Sequence, residues 1–177
     1  VEDVPKHDIS PEWEVANGRA VRYALSALKN VGQAAMMSLV HEREAKGVFK
    51  SLYDFGERLE PASLNKRLLE NLIRSGAVDC LNENRAQSLG STDLILRACH
   101  DAANRRNSSQ TSLFGEEEIH AALPPLAQVP EWEPLKKLEH ERAAVGFYLT
   151  SHPLTAYEEQ LTAQGVVTAA KALAVPM

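Results

Sequence analysis

Two short runs carry residue types and spacings that could do chemistry. The first is Lys29-Asn30-Val31-Gly32-Gln33, a tight turn between two helical patterns. Such a turn needs residues that accept positive φ, which Gly32 supplies and Asn30 tolerates next best. A helix beginning at Gln33 then presents unpaired backbone N–H groups and the positive end of its dipole. Those donors can cradle a phosphate without touching a base. The second run is Gln110-Thr111-Ser112-Leu113-Phe114, where a long amide and two small polar spacers precede a paired Leu-Phe in an otherwise polar stretch. In an extended peptide both apolar side chains can enter a preformed groove while the Gln amide bonds at its rim.

The first run has the content of a helix-hairpin-helix turn, which ordinarily reads apolar-x-Gly-apolar-Gly; here Asn30 stands at the first glycine. A second unit turns about Ser75-Gly76-Ala77-Val78-Asp79, with Gly76 as its one glycine. Lys29, Arg67 and Arg74 are the side-chain charges expected to assist. Both turns also read as plain connections in a helical bundle. For the second run the competing reading folds Leu113 and Phe114 back onto the core. Burying the pair on a partner yields roughly 3–6 kcal/mol before costs, and ordering the segment removes much of it. Binding through this peptide becomes useful when a second contact holds the same chain.

Other chemistries find no support. His41-Glu42-Arg43-Glu44-Ala45 lacks the second histidine of a zinc-protease helix, and His140 and His152 have no ligand-spaced partners. Asp54 and Asp79 fall in capping and turn positions, and no serine shows a base to activate it. No catalytic or metal-binding residue is assigned, and no cofactor is expected.

The elements that must position these runs are mostly helical. Trp13-Glu14-Val15 and Val21-Arg22-Tyr23 alternate around Asn17-Gly18, predicting a short two-stranded ribbon. From Ala24 the period turns helical: a short helix through Leu28, then one over Gln33 to Lys46 with Met36, Leu39 and Val40 on one face, ended by Gly47. Ser51 and Asp54 resemble a capping box for a helix to about Leu59, and Pro61 with Ser63 introduces the next. There Leu64, Leu68, Leu69, Leu72 and Ile73 form a stripe. One long helix is predicted from about Asn84 to Arg105, with Leu89, Ile95, Leu96, Cys99 and Ala102 inward. Residues 107–130, with Pro124-Pro125 and Pro130, read as a linker. A last helix with Leu135, Leu138 and Ala143 leads into the run from Val145 to Leu154.

The predicted fold class is therefore mainly α, a tandem helix-hairpin-helix bundle with an N-terminal β-hairpin and a partly irregular C-terminal region. Its expected divisions are 1–23, 24–106, 107–130, 131–161 and 162–177.

Composition agrees with a globular chain: 44% of its 177 residues are hydrophobic and 24% charged. Two cysteines, Cys80 and Cys99, are expected as buried thiols of a reducing cytosol. No apolar run reaches membrane-spanning length. The net charge of −5 argues against nucleic acid, but residues 19–85 hold 11 Lys and Arg against 8 Asp and Glu. The acidity belongs to the flanks. An opening at Val1 and an uncapped end read as a fragment of a longer protein, cytoplasmic in location.

Four blocks, the run from Arg22 to Leu59, that from Leu64 to Leu81, Gln110 to Phe114, and Glu141 to Leu154, closely resemble the alpha subunit of the bacterial replicative polymerase, DNA polymerase III. They match the part that follows its fingers. The resemblance implies that Lys29, Asn30, Val31, Gly32 and Gln33 bind double-stranded DNA behind the active site. It implies that Gln110, Thr111, Ser112, Leu113 and Phe114 bind the ring-shaped sliding clamp (the beta subunit). Other subunits of the replicative polymerase become expected partners, and residues 162–177 become the lead-in to an oligonucleotide-binding domain. The family's metal-binding aspartates, which hold Mg2+ for nucleotidyl transfer, are expected upstream of Val1, so this segment alone is expected to be inactive.

Two rival classes are open to test. A helix-hairpin-helix glycosylase would need an Asp after the hairpin, and residues 33–47 contain none. A noncatalytic scaffold that binds the clamp without DNA would show no salt dependence of the phosphate kind.

Overall fold

The computed structural model describes residues 12–15, 19–22, 24–107 and 123–167. Two extended segments, Glu12–Val15 and Arg19–Arg22, lie antiparallel with Trp13 opposite Val21. The Asn17-Gly18 turn expected between them lies outside the described residues, as does the whole run Gln110 to Phe114.

The rest is mainly helical. A single 3-10 turn, Leu25–Ala27, replaces the short helix expected through Leu28. It precedes α1 (Gln33–Lys46), α2 (Leu52–Arg58) and α3 (Lys66–Ser75). Then follow α4 (Arg85–Gly90), α5 (Thr92–Asn107) and α6 (Pro134–Val145). A 3-10 turn over Pro153–Tyr157 leads to α7 (Glu158–Ala163), both solvent-facing.

The core follows the apolar stripes. Leu64, Leu68, Leu69, Leu72 and Ile73 are all buried, joined by Met36 and Leu39 of α1, Phe55 of α2, and Ile95, Cys99 and Ala102 of α5. Val40 instead faces solvent. Ser51 accepts the Asp54 N–H at 3.0 Å and so caps α2 as expected. The cap of α3 is Asn65, accepting from Leu68 N–H at 3.0 Å, rather than Ser63. Of the two thiols only Cys99 is buried; Cys80, in the turn after α3, is exposed.

The single long helix expected from Asn84 to Arg105 is two helices, broken at Gly90-Ser91. Helix propensity is low there, and Thr92 Oγ1 donates back to Leu89 O at 2.8 Å. Ser91 Oγ is also recruited outward, accepting Ala127 N–H at 2.9 Å.

That contact comes from the stretch expected as a linker. Residues 123–130 run along the body without helix or strand: Tyr53 Oη donates to Pro124 O at 2.7 Å and Asn84 Nδ2 to Val129 O at 2.9 Å, while Leu126 packs on the core. α6 then packs against α3. It buries Leu138, Glu141, Ala144 and Val145, whereas Ala143 is exposed.

One buried polar hub locks α6 to the turn after α3. Arg85, 4% exposed, donates to both Asp79 oxygens, closest at 2.7 Å, and to Arg74 O at 3.4 Å. Its Nη1 lies 3.8 Å from Oε2 of Glu141, which is fully buried. Glu141 also accepts the Leu149 N–H, the Thr150 N–H at 2.9 Å and the Thr150 hydroxyl at 2.8 Å. Gly76 makes room for this arrangement. Its φ is +82°, and a Cβ there would lie 2.0 Å from Arg85 Nη2, so glycine is required twice over.

Candidate nucleic-acid interface

The first turn is built on two apolar plugs. Leu28 and Val31 are 4% and 5% exposed, and the Val31 N–H returns to Leu28 O at 3.2 Å. Between them, exposed Lys29 and Asn30 form the tip. The Lys29 N–H donates to Ala144 O at 3.1 Å, fixing the tip to the C-terminal end of α6. Val31 thus anchors the turn, and its side chain is not available to a ligand.

Positive φ falls on Asn30, at 59°, the one non-glycine residue in that region among the described residues. Gly32 does not share it: φ is −80° and ψ 144°. The expectation that Gly32 supplies the left-handed residue is corrected here, because a single such residue reverses the chain and Asn30 already provides it. Gly32 is the N-cap of α1, with its oxygen accepting from Met36 N–H at 3.2 Å. A Cβ on Gly32 would meet nothing within 4 Å. Neither conformation nor packing demands glycine at this position, and its effect is to leave the space in front of the helix start empty.

That start is open. No side chain caps α1, no acidic residue lies in its first turn, and the N–H groups of Gln33, Ala34 and Ala35 have no partner among the described residues. Exposed Gln33 and small Ala34 flank them. Free donors at the positive end of a four-turn helix form a surface suited to an oxyanion.

The second turn differs in kind. α3 ends on left-handed Gly76, and the next helix start, α4, has its first-turn donors already used. Arg85 N–H donates to Glu131 Oε2 at 3.0 Å, Ala86 N–H to Glu131 Oε1 at 3.3 Å, and Gln87 N–H to Asn84 Oδ1 at 2.8 Å. The Glu131 carboxylate occupies the place an incoming anion would take. Burial alone would raise its pKa, but donation from Trp132, Arg85, Lys137 and Ala86 outweighs that and holds it below the ordinary carboxylate value.

The assisting charges are scattered. Lys29 is at the tip and Arg67 is exposed on the first turn of α3. Arg74 is half-buried beside α6 and pairs with Glu70 at 3.3 Å. Neither Arg67 nor Arg74 bonds to the 29–33 turn among the described residues.

Sequence reasoning missed Glu131 and Glu141. Glu141 left a readable trace: with Leu138, Ala144 and Val145 it falls on the inward spacing of α6, so a charged residue sits where the helix must be apolar. Glu131 left none, since it precedes Pro134 in an irregular segment without periodicity.

A family model for the helix-hairpin-helix motif matches residues 5–88. DNA polymerase III subunit alpha of Caulobacter vibrioides is 40% identical over 163 residues, covering 92% of this chain and 14% of the relative. The subunit of the same name from Vibrio cholerae is 35% identical over 155 residues, 85% of this chain and 13% of the relative. That of Neisseria meningitidis serogroup A is 38% identical over 141 residues, 80% and 12% respectively. The chain thus spans about a seventh of the length of the curated relatives it matches. Alignments over 80–92% of it at 35–40% identity place it plainly: the chain belongs to the DNA polymerase III alpha-subunit family, as a segment of it.

Proposed function

We propose that this chain is the segment that holds duplex DNA and tethers the sliding clamp in a bacterial replicative polymerase, supporting processive synthesis. The observation that carries the DNA part is the pairing of left-handed Asn30 with a start of α1 that is uncapped and unobstructed among the described residues. Backbone donors of this sort bind phosphate irrespective of base, which suits an enzyme that copies any sequence. A single open hairpin makes few phosphate contacts, so the isolated chain binds weakly and gains strength from the rest of the polymerase.

The test is affinity for several unrelated duplexes at low salt, for the native chain and for Gly32→Val. Valine fits the free protein, since its Cβ meets nothing, but fills the approach to the N–H groups. Loss of binding with an unchanged helical signal supports the reading; undiminished binding overturns it.

Tethering rests on the Gln110, Thr111, Ser112, Leu113 and Phe114 run together with membership of the family. Leu113→Ala with Phe114→Ala should abolish capture by purified clamp and leave the fold intact, whereas unfolding of that variant would return the pair to the core. Nucleotidyl transfer itself, with its Mg2+, we assign to other parts of the parent polymerase.

A further inference from the structure

Helix α1 is attached to the body at two places. Near its start it buries Met36 and Leu39, and the turn ahead of it is pinned by Leu28, Val31 and the Lys29 N–H on Ala144 O. From Val40 to Lys46 its side chains are exposed or half-buried, so apolar packing holds that half weakly. The second attachment is Arg58, the last residue of α2. Its Nη2 donates to Glu42 O and to Gly47 O, both at 2.9 Å. Its Nη1 donates to Val48 O at 3.3 Å and its Nε to Glu42 Oε1 at 3.2 Å.

The guanidinium is anchored in turn. It lies 4.3 Å from the centroid of the Phe49 ring, which meets the fully buried Phe55 edge-on at 5.1 Å. Asp54 accepts from its Nη1 at 3.4 Å, and α2 packs on α5. With its side chain only 13% exposed, Arg58 is not an ordinary solvated surface charge. It sits at the negative end of the α1 dipole, where a cation is stabilised. Its rigid fork meets several oxygens at once, which an ammonium on a flexible stem does not.

We propose that Arg58 is a positioning residue for duplex binding, fixing the direction in which the start of α1 faces phosphate. This rests on the DNA reading above and adds to it what aims the donors. The first-turn N–H groups of Gln33, Ala34 and Ala35 point along the helix axis. A tilt of α1 turns all of them together, and hydrogen bonds weaken steeply as they leave the straight line. An attachment near the start fixes a position. A second one at the far end, about 20 Å away at a rise of 1.5 Å per residue, fixes a direction. At that distance Arg58 touches no phosphate held at Gln33, and its effect passes through the helix.

The test measures affinity for a short duplex at low salt, and backbone amide shifts without DNA, for the 177-residue chain, Gly32→Val and Arg58→Lys. Arg58→Lys keeps the charge and removes the fork. It should bind on the order of tenfold more weakly with an unchanged helical signal. The amides of Gln33, Ala34 and Ala35 should also move, although the substitution lies at the other end of α1. Should Arg58→Lys fail to fold, Glu42→Gln with Asp54→Asn decides. That chain loosens the guanidinium while losing two negative charges, so long-range attraction alone would tighten its duplex binding, whereas the positioning role predicts weaker binding. Native-strength binding by Arg58→Lys, weakened binding with those amides in place, or undiminished binding by the deciding chain overturns the positioning role and leaves the DNA reading standing. Absence of duplex binding by the native chain, or binding undiminished in Gly32→Val, overturns both together.

Discussion

The Glu131 carboxylate receives the Arg85 N–H at 3.0 Å, so the helix start in the second turn is filled from within the chain. Among the described residues the start of α1 has no such occupant. The two turns are alike in sequence outline and unlike in chemistry: one is closed by an internal anion and the other is open to an external one. Replacing Glu131 by Ala leaves the Asn84 cap of α4 in place but takes the acceptor from the Arg85 and Ala86 N–H groups, and should cost about 0.5–2 kcal/mol in urea unfolding. Duplex affinity should not fall, because the closed turn is not used in the native chain.

Asn30 permits a sharper test of backbone conformation. Asn30→Gly keeps a residue at ease with φ of 59° and should preserve both fold and DNA affinity. Asn30→Val forces a β-branched residue into the left-handed region at a cost of roughly 1–2 kcal/mol. Thermal unfolding of the two variants side by side reads the difference.

Removing one partner from the buried hub should be far more damaging than any surface change. Glu141→Ala leaves the Leu149 and Thr150 donors unmatched and one side of Arg85 uncompensated. A loss of about 3–5 kcal/mol is expected, as for other broken buried pairs. Glu141→Gln, which keeps an acceptor for those N–H groups, should lose less. Denaturant midpoints of the pair separate hydrogen bonding from charge.

His140 stacks on Trp132 with ring centroids 3.9 Å apart. Burial, then the neighbouring positive charges of Arg74 and Lys136, holds its pKa below the ordinary histidine value. The folded chain therefore favours neutral imidazole. Its contribution is fully present above the unfolded value, about 6.5, and is lost as pH falls from there through the lower folded one. The unfolding temperature should drop between pH 7.5 and 5.5, and His140→Phe should remove much of that drop. Trp132 fluorescence offers a local readout of the same step.

What the sequence disclosed and what it hid divide along physical lines. The α3 stripe was legible because five large apolar residues at helical spacing admit one buried face. Ser51 and Asn30 were legible because cap and left-handed positions select a few residue types. Gly32 misled, since glycine signals either positive φ or empty space and composition does not say which. The break at Gly90-Ser91 and the packed strap 123–130 were hidden for a shared reason. Each is held by contacts to the other, Ala127 on Ser91 among them, and pairing between distant segments without periodicity leaves no local pattern. The closing of the second turn depends in the same way on Glu131, more than forty residues downstream of α4.

Backbone amide shifts on titration with a short duplex test the open-turn claim most directly. The account predicts that Lys29, Asn30, Gln33, Ala34 and Ala35 move most and lose their shifts as salt rises, while Arg85, Ala86 and Gln87 stay in place. Equal movement at both helix starts, or movement confined to other surfaces, would contradict it.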